Sequence, residues 1–210
     1  MLRWLFLCLL VPAFGAESKA PFWKAKEHVY SRIQNEEIIV SVKKADKPAR
    51  KEYKHTVSIA GGGHVGAPYE FVYTEAMDFQ DLPRVSGYID KVNFDSKAQR
   101  LSLDVSALGH KASLVFQLRM PSVEGRRRIE FEAVSGPMKG LSGRFDLVPL
   151  GAAKTEVGID GAYSYDEFPI HRVFLEFGLE FIFQRMAARL RSHVESEYNA
   201  AKNKGAMQKK

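Results

Sequence analysis

The chain has 210 residues, 45% hydrophobic and 27% charged, with a formal net charge of +6 and a single cysteine. That composition suits one globular domain and excludes a disordered, collagenous or disulfide-scaffold protein. A lone thiol, Cys8, also excludes an intramolecular disulfide and a zinc–thiolate cluster.

Residues 1–15 read as a leader. Arg3 supplies a positive end, Trp4–Val11 is continuously apolar, and Ala13 and Gly15 are small residues at signal-peptidase spacing. The apolar run falls well short of the roughly 18–20 residues that a membrane span needs. The expectation is a cleaved secretory signal and a mature chain that begins near Ala16, in the periplasm or outside the cell. Cys8 leaves with the leader, and Leu7 before it does not suit lipoprotein-type acylation. The mature chain keeps a basic excess of about five, part of it in Arg126–Arg128 and in the tail Lys202–Lys210. The first reads as a charged turn and the second as a frayed, solvated end. Aromatic residues do not alternate with these charges as single-strand binders require, so nucleic acid is not an expected partner. A membrane surface stays open as a contact, and the sequence is silent on oligomeric state.

Residues 16–36 form a mixed N-terminal extension. Glu37–Lys44, EIIVSVKK, is rich in β-branched residues; Asp46–Ala49 breaks it, and Glu52–Ala60 alternates again, which predicts a hairpin. Gly61–Gly63 reads as a flexible corner that ends the second strand; no Gly-Lys-Ser/Thr follows, so it is not a phosphate loop.

Pro68 suits the first turn of a helix, and Phe71, Val72, Ala76 and Phe79 recur near helical spacing through about Met77. Asp78 starts a second short turn, Pro83 restricts the residue before it, and Gly87 stops it. A strand follows from Tyr88 to Val92. Beyond it Leu101, Leu103 and Val105 alternate with polar residues, as do Leu114, Phe116 and Leu118, then Ile129, Phe131 and Ala133. Phe145 and Leu147, then Val157, Ile159 and Tyr163, continue the series. Period-two alternation joined by short turns predicts an antiparallel sheet with one buried face. Pro169–Tyr198 is one long helix, with Ile170, Phe174, Phe177 and Phe181 on one side and Leu179, Ile182, Met186, Leu190 and Val194 widening the apolar face.

One helix, about 10 Å across with its side chains, cannot cover a curved sheet of about six or more strands from edge to edge. The two short helices are placed to plug one end, and the space between is a candidate cavity.

The stretches APYEFVYTEAMDFQDLPRVSGYIDKV, GPMKGLSGRFDLVPL and TEVGIDGAYSY, followed by the long helix, occur in an order that resembles the START-like, or Bet v 1-like, helix-grip superfamily. Within it the chain is most similar to the polyketide cyclase/dehydrase and coenzyme Q-binding type, over Glu52–Tyr198. The resemblance implies an α+β helix-grip fold. A curved antiparallel sheet of about six to eight strands would wrap a long C-terminal helix, with two short helices between the first long strand and the rest. The expected organisation is a signal peptide over 1–15, an extension over 16–36, a ligand-binding domain over 37–200 and a basic flexible tail over 201–210. The strand Glu37–Lys44 is an elaboration.

The resemblance also implies a pocket for a hydrophobic small molecule, a lipid, quinone or polyketide-like ligand, between the long helix and the sheet. Its expected lining is Phe116, Phe131, Phe145, Tyr163, Phe174, Phe177, Phe181, Leu82 and Val85; burial is the chief source of affinity for such ligands. For any one of these residues, ordinary core packing is the competing explanation.

Catalytic machinery is harder to find. His28, His55, His64, His110, His171 and His193 lack the i, i+4 spacing of a helical metal pair, and there is no GxSxG elbow. Asp78 and Asp81 read as helix caps. Arg144 and Tyr163 are candidates to reach inward, yet nothing singles them out. The sequence therefore yields no catalytic residue, metal site or cofactor. Its balance favours a non-catalytic carrier, with a cyclase- or hydrolase-like enzyme in the same cavity as the alternative.

Overall fold

A computed structural model describes residues 22–44, 55–107, 109–123, 126–166 and 172–207. The expected leader lies outside these residues. Two helices open the described chain, α1 (Phe22–Ala25) and α2 (Glu27–Gln34), followed by strands β1 (Ile39–Lys44) and β2 (His55–Val65). Helix α3 (Tyr69–Met77), a 3-10 turn (Phe79–Asp81) and α4 (Leu82–Val85) follow. Next come β3 (Ile89–Asp95), β4 (Arg100–Ala107), β5 (His110–Arg119), β6 (Ser122–Val123), β7 (Arg126–Ser135), β8 (Ser142–Pro149) and β9 (Thr155–Tyr165), then helix α5 (Arg172–Met207).

The alternating segments pair antiparallel in the order β1-β2-β9-β8-β7-β5-β4-β3, with β6 on β7. This curved sheet wraps around α5, and the short helices lie between β2 and β3: a helix-grip fold. Pairing register assigns the faces. Phe131 opposes Gly143, Gly143 opposes Gly161, and Gly161 opposes Ile59, which opposes Val42; all five point to the concave, helix-bearing side. Arg119, Glu130, Arg144 and Asp160 form the corresponding row on the outer side.

Gly61–Gly63 is not a corner. Strand β2 runs straight through it to Val65, pairing Gly62 with Gly158. Close approach explains the glycines better than a turn does. A Cβ on Gly62 would fall 2.7 Å from Cε2 of Trp23, and one on Gly158 would fall 2.8 Å from its Cζ2. The two residues make a slot for the indole on the outer face. The N-terminal extension is therefore structured: Trp23 and Ile33 of its helices are buried with Ile39 of β1. Lys24 Nζ reaches Glu156 Oε1 at 2.6 Å, closing the same contact.

Helix α5 continues past Tyr198 to Met207, so much of the expected flexible tail is helical. Its first half rides along the free edge of β1. The backbone N–H of Val42 donates to Glu180 Oε2 at 3.2 Å, and Gln184 Nε2 donates to the carbonyl of Ile38 at 3.4 Å. These bonds satisfy edge groups that would otherwise template pairing with another chain. Leu179 and Phe183 turn inward onto Val40, Val42, Val57, Ile59 and Tyr163. Further along, Val194 packs with Val65, Val72 and Leu147.

Candidate functional site

The concave face carries a chain of aromatic rings across neighbouring strands. Phe116 of β5 meets Phe131 of β7 edge to face at 6.1 Å, and Phe131 meets Phe145 of β8 at 5.5 Å. None of the three rings is fully buried, because α5 lies toward β1 and leaves this part of the sheet only partly covered. Partly covered aromatic surface facing a helix is a site that an apolar ligand can complete. At the β3–β5 end, Phe79 is buried with Leu101 and Leu118, and Leu82 packs against the same group. The 3-10 turn and α4 thus cap the aromatic chain, since Phe116 and Phe131 border this cluster too. Val85, at the end of α4, is partly buried.

The opposite end is polar. Tyr163 stacks on Tyr165 at 5.6 Å, and His55 of β2 tilts against Tyr165 at 5.5 Å. Tyr163 is buried, and its hydroxyl donates to the carbonyl of Pro137 at 2.9 Å. His55 Nδ1 is buried without a hydrogen-bond partner. Sequence reading passed over His55 because only the β2–β9 register puts it beside the tyrosine pair.

Two expected positions fall elsewhere. Phe181 is 58% exposed, with the Arg185 guanidinium 5.8 Å from its ring, on the side of α5 away from Leu179 and Phe183. The edge of β1 fixes the rotation of α5, and in so apolar a stretch the sequence gives no unique phase. Phe174 and Phe177 lie in the first turns of α5, and their side chains are outside the described residues. Arg144 does not reach inward: it sits on the outer face, with Nε 3.0 Å from Asp146 Oδ2. That outer face holds an open depression of about 400 Å³ between Arg119, Glu130, Arg144 and Asp160. Charged walls open to water do not suit an apolar ligand, so the concave face is the candidate site.

Where the short helices meet α5, His193 stands among carboxylates. Its Nε2 is 3.3 Å from Asp81 Oδ2 and 3.9 Å from Glu75 Oε2, and its Nδ1 is 4.0 Å from Glu197 Oε1. Arg84 joins Asp81 at 2.6 Å and Glu197 at 3.6 Å. Burial, opposed by His193 and reinforced by Glu197 and the nearby aspartates, pushes the Glu75 carboxyl above the usual carboxylate range. Asp78 does cap, accepting from the backbone N–H of Gln80, whereas Asp81 belongs to this charged cluster. Among the described residues no group of His, Cys, Asp or Glu is arranged to hold a metal ion.

Residues 65–191 match a family described as polyketide cyclase / dehydrase and lipid transport. No curated protein matches the chain. Among solved structures, a STAR-related lipid transfer protein from Xanthomonas axonopodis superposes with a TM-score of 0.60 at 16% identity, covering 75% of this chain and 93% of its own. A START superfamily protein from Mycobacterium smegmatis gives 0.57 at 20% identity, covering 66% and 97%. The Zhui aromatase/cyclase from Streptomyces sp. R1128 gives 0.55 at 17% identity, covering 69% and 94%. At such identities these neighbours share the fold. The expectation of a non-catalytic protein is corrected: the matched family takes in cyclases and dehydrases beside lipid transport, and an aromatase/cyclase shares the architecture. Catalysis carries at least equal weight.

Proposed function

Because the chain belongs to the polyketide cyclase/dehydrase and lipid transport family, we propose that it takes a flat, apolar small molecule between α5 and the concave face and catalyses its ring closure or dehydration. The observation that carries this reading is the partly covered ring chain Phe116–Phe131–Phe145, which offers stacking surface to a polycyclic or polyketide-like ligand. Leu82 and Val85 border the ligand from α4, and Leu179 and Phe183 replace Phe181 on the helix. Ring closure followed by loss of water needs a base for a proton next to a carbonyl and an acid for the departing hydroxyl. The polar end of the face supplies groups of that kind in His55 and the Tyr163–Tyr165 pair. The leader motivates the location: we propose that the protein works in the periplasm or outside the cell.

A panel of quinones, sterols, fatty acids and linear and cyclised aromatic polyketides, followed by thermal shift and calorimetry, tests uptake. Binding raises the melting temperature by mass action and carries the negative heat-capacity change of apolar burial. Mass spectrometry with chromatography of the bound ligand then reads conversion, dehydration as the loss of one water and ring closure alone as a new retention time at unchanged mass. His55→Gln should keep binding and lose conversion. Binding with no conversion across the panel would leave carriage of the same ligand class, and absence of any binding would overturn the site.

A further inference from the structure

The start of α5, VFLEFGLEFIF over Val173–Phe183, is apolar nearly all round, yet only one side of a helix can face the sheet. Leu179 and Phe183 take that side, and Glu180 takes the edge of β1. At 3.6 residues per turn, Phe181 stands opposite the midpoint of Leu179 and Phe183, which accounts for its exposure. Phe177 and Phe174 precede it on the same helical stripe, and Arg185 follows one turn later. The stripe continues through Ala188, Ser192 and Asn199, all exposed. Charge on α5 is sorted the same way. Among its described side chains, Glu180 accepts from the Val42 N–H, Glu195 accepts from the Gly66 N–H, and Glu197 faces Arg84. Arg185, Arg189, Lys202 and Lys204 are exposed. The helix turns its glutamates to the protein, while its outward side is aromatic at the start and basic beyond.

We propose that this outward side of α5 is a docking surface for an anionic lipid bilayer, on which the helix lies in the plane of the headgroups. Among the described residues no helix is long and apolar enough to cross a membrane, so the contact runs along the surface. Aromatic rings enter the boundary between headgroups and acyl chains, and basic groups farther along the helix pair with lipid phosphates. The Arg185 guanidinium lies 5.8 Å from the Phe181 ring. Its stem can follow that ring inward while the charge stays with the headgroups. A protein with an apolar groove would use the rings and leave the bases unmatched, and an acidic protein would do the reverse. An anionic bilayer matches both along one straight helix. The net charge of +6 favours approach to the same surface. Docking stands whatever the concave face carries. Its consequence rests on that face being the ligand site: Leu179 and Phe183 lie on the other side of the same turns. A docked helix therefore holds the site about 10 Å, one helix diameter, from the lipid in which an apolar molecule dissolves.

Phe181→Trp places a reporter on the stripe at an exposed position, where folding should be unaffected. On vesicles of phosphatidylcholine mixed with phosphatidylglycerol, its emission, taken as the difference from wild type, should move to the blue. Brominated acyl chains in the same vesicles should quench it. The apparent affinity should be about tenfold higher than on phosphatidylcholine alone and should fall as salt rises. Adding Arg185→Glu should weaken binding to the anionic vesicles about tenfold at an unchanged melting temperature. No change in the reporter on anionic vesicles overturns the docking surface, as does an equal response on neutral and anionic vesicles. A blue shift that grows with protein concentration in the absence of lipid assigns the stripe to a second copy of the chain instead. Uptake of the soluble apolar probe N-phenyl-1-naphthylamine is read separately. Docking without probe uptake upholds this surface and counts against the concave site, and probe uptake without docking does the reverse.

Discussion

The ring of Phe131 lies over Gly143, its cross-strand partner: a Cβ on Gly143 would fall 2.7 Å from Phe131 Cζ and 2.5 Å from the carbonyl oxygen of Asp160. The absent side chain on β8 gives the central ring of the concave chain its seat. Gly161, the next residue in the same row, extends that seat onto β9.

Gly143→Ala should therefore lift Phe131 off the sheet. Overpacking of this kind costs about 1–3 kcal/mol. The variant should melt lower than wild type, and its preference among ligands should shift toward smaller rings. A melting temperature and ligand profile equal to wild type would remove Phe131 from the site.

On the outer face, Gly158→Ala should expel Trp23 from its slot. Trp4 falls within the expected leader, so Trp23 is the tryptophan that reports on the processed chain. Its emission should move to the red, and the Lys24–Glu156 pair should loosen with it. Unchanged emission would mean that the N-terminal helices do not dock on this face.

The phase of α5 is open to a paired measurement. Phe181→Ser, at an exposed position, should change stability by no more than about 0.5 kcal/mol. Phe183→Ala, at a position packed on the core, should cost about 2 kcal/mol or more. Reversed effects would place the opposite face of the helix against the sheet.

His64 gives a pH prediction. It is buried beside Glu156, and burial chiefly lowers its pKa from the usual value, with the attraction of Glu156 opposing and the Lys154 and Lys24 charges assisting. Glu156 is already engaged by Lys24, which explains why its attraction does not win. The folded state thus holds His64 neutral while the unfolded chain protonates it near pH 6.5. Stability from this source is present above that value. It is lost as pH falls toward the lowered folded value. Thermal melts of wild type should drop over this window, and His64→Gln should flatten the drop. An equal slope in the variant would assign the effect to another group.

Much of the fold was legible in one dimension. Alternation at Leu101–Val105, Leu114–Leu118 and Ile129–Ala133 is a local property, because side chains on a strand point to opposite faces whatever the strand pairs with. The order of short helices, strands and long helix was enough to resemble one superfamily, and the family match agrees. Phe116, Phe131 and Phe145 were readable as inward-facing for the same reason. Other features depended on partners distant in sequence. Gly61–Gly63 looked like a corner because glycine is equally at home in a turn and beneath an indole, and only the docking of Trp23 decides between them. Phe181 looked inward because the start of α5 is apolar nearly all round; its rotation is selected at the edge of β1, where Glu180 accepts from the Val42 N–H and Gln184 donates to the Ile38 carbonyl. His193 carried no signal at all, since Glu75, Asp81 and Arg84 lie more than a hundred residues earlier in the chain. Periodicity fixes which way a residue faces within its own element, whereas charge clusters and close contacts exist only once separate elements have been brought together.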